Sequence, residues 1–279
     1  MKNLARAAAA TSFLLALLSP GAGRCIDVNA FFPAQGEADL ALSVTAESYD
    51  EFYRGNTKVS NPMVGEVETV TTTLWARWGI TDRISLIANI PYVDVDSDGL
   101  GGFADSGLQD IAALVNFKLG EIDGGSVRHV FAAAVGGRTP ISDYEANAPV
   151  SLGDGTTDGL ARLVYQLESG SFFFTQQVGF DARGDDAPDG FPLVSELGYT
   201  VGRTTLSAQY FLYIADGGTD IGDPGFTFPS NQDETERLGL KAYVRLQDRL
   251  GLALSGFTTL DARNSGDATG FSGGLVVRF

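Results

Sequence analysis

The sequence predicts an all-β fold: a transmembrane antiparallel β-barrel of about 12 strands, with short turns at one end and long loops at the other. Three observations predict it. From about residue 37 the chain repeats one unit of ten to thirteen alternating residues followed by a turn. The turns come in two sizes that alternate, and the last nine residues form a strand ending on Phe279.

The amino terminus has the form of a secretory signal. Lys2 and Arg6 make a short basic region, Ala7 to Leu18 is an apolar run, and Ser19-Pro-Gly-Ala-Gly23 supplies small residues. The run is too short to span a bilayer as a helix. Residues 1–23 are therefore expected to be removed. Cys25 is the single cysteine, which excludes an intramolecular disulfide, and Arg24 before it does not fit a lipid-anchor motif. Residues 24–36 are expected as a short periplasmic lead-in, too short for a plug domain, and residues 37–279 as the barrel.

Strands are expected at about 37–51, 66–78, 83–93, 107–119, 127–137, 157–167, 171–182, 191–201, 203–214, 234–246, 249–260 and 269–279. The short turns are Gly79-Ile-Thr-Asp82, Gly120 to Ser126, Glu168-Ser-Gly170, Gly202-Arg203 and Gln247-Asp-Arg249. The long ones are about Phe52–Gly65, Asp94–Ser106, Arg138–Gly155, Arg183–Gly190, Ala215–Asp233 and Asp261–Ala268. An even strand number puts both barrel ends on the short-turn, periplasmic side.

Strand side chains alternate with period 2, so each strand has two faces. One face is apolar: Val70, Leu74, Ala76 and Trp78; Ile84, Leu86, Ala88, Ile90 and Tyr92; Leu238, Leu240, Ala242 and Val244. The other is small, polar or basic. The periodicity alone fits a soluble sandwich equally well. Sorted turn lengths, the terminal strand, and aromatics at strand ends (Trp78, Tyr92, Tyr199, Phe279) favour lipid outside and a lumen inside. Residues 127–137 are apolar on both faces and leave their orientation open.

The chain carries a net charge of −16, with 35 acidic and 19 basic residues. That sign disfavours nucleic acid as a partner. The acids concentrate in the long loops. Arg77, Arg83, Lys118, Arg203, Arg245 and Arg278 lie near short turns. An anionic outer rim and a more basic inner mouth are expected. Such a rim either enriches cations at the entrance or serves as a soluble fringe bridging lipopolysaccharide through divalent ions.

The stretch from Leu74 to Tyr92, containing Trp78-Gly-Ile-Thr-Asp-Arg83 and closing on Pro91-Tyr92, is followed by Ser106-Gly-Leu-Gln-Asp110 opening the next strand. Leu152-Gly-Asp-Gly-Thr-Thr-Asp158 precedes a later one. This pattern, over about residues 66–167, resembles a family of outer-membrane transporters related to the MetA pathway of phenol degradation. The terminal strand likewise resembles the closing strand of bacterial outer-membrane barrels, where it is the signal read by the barrel assembly machinery. The resemblance implies an outer-membrane barrel in a Gram-negative envelope, working as a passive channel for small, aromatic or otherwise apolar solutes. It carries no catalytic motif.

Candidate lumen-lining residues are Thr71, Thr73, Trp75, Arg77, Lys118, Arg162, Arg203, Lys241, Tyr243, Arg245 and Arg278. Asp94, Asp96, Asp98 and Asp105 match a D-x-D-x-D-G-x5-D pattern that could hold surface Ca2+, although strands flank it and the last ligand is Asp in place of Glu. No other cofactor is expected. His129 is the one histidine, so a Cys/His metal cluster is excluded. Ser126 lies three positions from it, on the opposite face of a strand, which disfavours a hydrolase. The alternatives to a channel are a non-conducting barrel serving surface contacts and, more remotely, a barrel-type hydrolase.

Overall fold

A computed structural model describes residues 28–184 and 187–279. The signal segment 1–23, Cys25 and the loop acids Asp185 and Asp186 lie outside the described residues.

The described residues form fifteen strands: β1 Ala38–Tyr49, β2 Phe52–Arg54, β3 Thr57–Val59, β4 Val67–Thr81, β5 Ile84–Ser97, β6 Ala104–Leu108, β7 Ile111–Asp123, β8 Arg128–Thr139, β9 Asp158–Ser169, β10 Phe172–Ala182, β11 Gly190–Val201, β12 Thr204–Ala215, β13 Glu234–Arg245, β14 Leu250–Arg263 and β15 Thr269–Arg278. Round the barrel β1, β4, β5, β7 and then β8 to β15 pair antiparallel in chain order, β15 pairs β1 to close the ring, and β6 pairs only β5. The result is a closed 12-strand barrel without a free edge. Asp39 pairs with Arg278, and the Phe279 amide donates to the Ala38 carbonyl at 2.8 Å. Both ends of the barrel therefore sit at the short-turn end. Gly170 and Gly202, at φ 61°, make the tightest of these turns, a conformation L side chains resist.

The faces follow the alternation. Leu74, Trp78, Tyr92, Leu206, Leu238 and Leu275 are exposed on the outside, Leu240 and Phe271 most of all at 67% and 71%. Trp78, Tyr92, Tyr199 and Phe279 are exposed near strand ends, and the Tyr199 ring lies tilted against Phe172, centroids 4.5 Å apart. β8 resolves its ambiguity by turning Val130, Ala132 and Ala134 inward and Phe131 and Val135 outward.

Three departures from the sequence expectation position the site. First, β2 and β3 form a small hairpin inside the first long loop. Second, Pro91 does not end a strand. β5 continues to Ser97 and pairs with β6, so most of the expected loop Asp94–Ser106 is a protruding hairpin. Proline has no N–H for its neighbour. Pairing lapses opposite it, between Asn89↔Ala112 and Tyr92↔Leu108, which divides the expected strand 107–119 at Gln109 and Asp110. Third, residues 28–33 are not a lead-in outside the barrel, and only Ala34 to Gly36 are exposed at its rim. Val28, Ala30 and Phe31 are buried in the lumen, at 2%, 2% and 5% exposure. A short extended segment can occupy the lumen where a domain could not.

Candidate functional site: a divided lumen

The periplasmic half of the lumen is filled. Inward side chains of ten strands, Trp75, Ile87, Leu114, Val130, Val164, Phe173, Tyr243 and Val276 among them, form one apolar cluster with Val28, Ala30 and Phe31. Phe31 meets Phe173 edge-on, ring centroids 5.5 Å apart. An extended segment cannot pair its own backbone, so in a packed lumen the barrel must supply partners. Gln177 Oε1 accepts from the Val28 amide at 2.6 Å and Gln166 Oε1 from the Ala30 amide at 3.1 Å. Asn116 Nδ2 donates to the Asn29 carbonyl at 3.1 Å. Arg77 donates to Asn29 Oδ1 at 2.9 and 2.7 Å and to the Phe31 carbonyl at 2.9 Å.

Below this, the chain leaves past Gly79. Its amide donates to the Glu37 carbonyl at 2.9 Å, and a Cβ there would stand 2.3 Å from the Ala34 carbonyl oxygen. The glycine read from sequence as a turn residue thus lies within β4 and admits the segment.

The extracellular half holds a cavity of about 280 Å³. Its walls are the upper ends of β1, β4, β5, β12, β13 and β14, with Thr45, Glu47, Thr69, Thr71, Val93, Phe211, Arg237 and Phe257 facing in. Its roof is folded loop. Ala146 to Asp154 cross the opening, joined by Phe228, Asn231 and Asn264 to Gly266. The strand break opposite Pro91 fastens this roof. Gln109 Nε2 donates to the Leu152 carbonyl, and Tyr144 Oη donates to Asp110. Tyr144 Oη also accepts from the Gly155 amide at 2.9 Å. Burial first, and then the bond to Asp110, push the Tyr144 phenol well above its ordinary range.

A second fastening ties three loops together. Asn264, in the left-handed region at φ 52°, accepts from the Gly55 amide at 2.8 Å and the Ile221 amide at 3.0 Å. Its amide nitrogen donates to Asp220 at 2.7 Å, and Arg263 donates to the same carboxylate at 2.8 and 2.9 Å. The bond from Arg263 first, and that from Asn264 second, hold the Asp220 carboxyl below the usual carboxylate range. A lowered folded pKa means the latch is intact above the ordinary value of about 4 and is lost as pH falls through the folded value. Protection of the Gly55 and Ile221 amides, taken relative to their intrinsic exchange at each pH, should thus fall on acidification below pH ~4, and Asp220→Asn should flatten that dependence. Protection that does not change on acidification of the unaltered protein would contradict it.

The candidate lumen residues fare unequally. Thr73, Trp75, Arg77, Arg162, Lys241 and Tyr243 are buried and inward. Thr71 lines the cavity. Lys118 sits at the periplasmic mouth, its Nζ 5.3 Å from the Phe32 ring centre and 3.4 Å from Glu121. Arg278 is there too, donating to Asp39 at 2.8 Å, and Arg245 is half-buried at the end of β13. Arg203 is a correction: it occupies the two-residue turn after Val201, is exposed, and does not face the lumen. Buried carboxylates that the sequence left unassigned neutralise the inward cations. Asp181 accepts from Arg162 at 2.5 Å, Glu196 lies 3.5 Å from Lys241, and Asp158 pairs with Arg138. Their signal was available as acids on inward positions of β9, β10 and β11.

The calcium-type pattern does not assemble. Asp94 and Asp96 are exposed on one face of β5. Asp105 pairs with Val95 on the other face, and Asp98 accepts from the Glu66 amide at 2.7 Å. Paired strands hold these carboxylates apart, and among the described residues no group of three or more His, Cys, Asp or Glu converges. His129 bonds Tyr165 Oη at 2.9 Å beside outward-facing Phe131.

The family model described as "Putative MetA-pathway of phenol degradation" matches residues 50–274. The chain belongs to this family. Among solved structures, the COG4313 outer membrane channel from Pseudomonas putida F1 superposes with a TM-score of 0.73 at 17% identity, covering 94% of this chain and 100% of that one. The NanC porin follows at 0.48 and 9% identity, covering 85% and 98%. The CymD monoaromatic hydrocarbon channel gives 0.43 and 10%, covering 88% and 89%. No curated protein matches. The barrel has the fold of outer-membrane channels.

Proposed function

We infer that this family member is a passive outer-membrane channel for small, aromatic or otherwise apolar solutes. The cavity is its solute station, and residues 28–32 close the periplasmic half. The observation that carries the reading is the cavity itself: inward strand positions leave about 280 Å³ where side chains could have filled the barrel. Phe211, Phe257 and Val93 give it an apolar body, while Thr45, Thr69 and Thr71 give it hydrogen-bonding edges. The similar Pseudomonas putida protein is an outer membrane channel, which agrees with this reading.

In this reading the acidic loops meet lipopolysaccharide through divalent ions, and the strand ending on Phe279 engages the assembly machinery. A hydrolase finds no support in His129, whose partner among the described residues is the Tyr165 hydroxyl. Reconstitution into planar bilayers and liposomes should give discrete conductance and accelerated entry of a small aromatic solute. A folded, heat-modifiable protein with neither conductance nor uptake would instead be a structural barrel.

A further inference from the structure

One charged pair faces the cavity from neighbouring parts of its wall, with β14 and β15 between the two strands that carry it. Arg237 on β13 stands between two rings: it is the cross-strand partner of Phe211, and its guanidinium lies 4.9 Å from the Phe257 ring centre. A β-bulge interrupts the β13–β14 ladder at this height, between Glu236 and Arg237. Bulges twist a strand locally and re-aim side chains, often beside functional sites. Two strands further round the wall, Glu47 on β1 holds a carboxylate oxygen 3.7 Å from Arg237 Nη1. That spacing is an ion pair but lies outside hydrogen-bond range. The other acid on the cavity wall, Asp154, is engaged at 2.8 Å by Arg183.

We propose that Glu47 and Arg237 form the selectivity element of the channel, admitting a small uncharged aromatic that carries one hydroxyl. This rests on the channel reading above and adds to it the charge state of the solute and the residues that decide it. A hydroxyl is both donor and acceptor, so it can give its proton to Glu47 and accept from Arg237 at once. Its ring then lies against Phe211 and Phe257. A carboxylate satisfied by Arg237 would face Glu47, and an ammonium satisfied by Glu47 would face Arg237. Like charges brought together in a partly desolvated site are strongly disfavoured. At about 280 Å³ the cavity suits a solute below drug size.

Benzyl alcohol, benzoate and benzylammonium share one body and differ in charge, which makes them the probes. Binding is read by saturation-transfer NMR on the mature chain in phosphatidylcholine nanodiscs, against empty nanodiscs. The alcohol should bind about tenfold more tightly than either ion, the factor that 1.4 kcal/mol confers. Glu47→Gln should strengthen benzoate binding about tenfold while leaving benzylammonium weak, and Arg237→Gln should do the reverse. Arg237→Lys, which keeps the charge, should preserve the unaltered ranking. Equal binding of the three probes by the unaltered protein overturns the proposal without any variant. So does a variant that shifts both ions alike. A conducting protein that binds none of the probes loses the selectivity element but keeps the channel. One that neither conducts nor binds loses both.

Discussion

Deleting residues 28–32 should open the barrel. In planar bilayers the truncated protein is expected to conduct about an order of magnitude more than the full chain, because a 12-strand barrel falls between filled eight-strand barrels and wide porins. The segment fills the lumen between Trp75, Phe173 and Tyr243, and its removal lets water reach Arg77, Gln166 and Gln177. Those polar groups then exchange backbone partners for water, so the truncation should still fold, as heat-modifiable migration would report. The same deletion should leave the roofed cavity in place, since none of its walls derives from residues 28–32. Unchanged conductance would mean that the periplasmic half is closed by the inward side chains themselves.

Asp181→Ala should be the most damaging single substitution in the lumen. Asp181 and Arg162 are both fully buried and 2.5 Å apart. Removing the carboxylate strands a guanidinium in a dry interior, at a cost of about 3–5 kcal/mol. Replacing both partners, as Arg162→Met with Asp181→Ala, removes the stranded charge and should recover most of the loss. Urea titration of the folded band in detergent measures both. A double variant no more stable than the single one would show that Arg162 is held chiefly by its bonds to the Ala161 and Phe180 carbonyls.

Two prolines show why some features were legible and others not. Pro91 is visible in the sequence, as is its missing donor. Whether that donor was owed to β4 or to the next strand depends on register, and register is set by the closed ring. It was owed to the next strand, and the gap released Gln109 and Asp110 to fasten the roof. Pro192 in β11 repeats the theme. It pairs fully with β12, while pairing with β10 lapses between Leu193 and Gly190. Arg203 failed for a related reason: one residue separates a lumen position at a strand end from an exposed one in the turn.

By itself the sequence determined the barrel, its strand number, the faces of its strands and the sorting of its loops. Each of these follows from local alternation and from turn residues read within ten or so positions. The family resemblance added a class of function on the same local patterns. Only the tertiary structure decided how the lumen is divided. Residues 28–32 meet Arg77, Asn116, Gln166 and Gln177 across separations of up to 149 positions, and Glu47 meets Arg237 over two intervening strands. Such pairings depend on ring closure and on which buried groups still need partners, and neither is written in any local stretch of the chain.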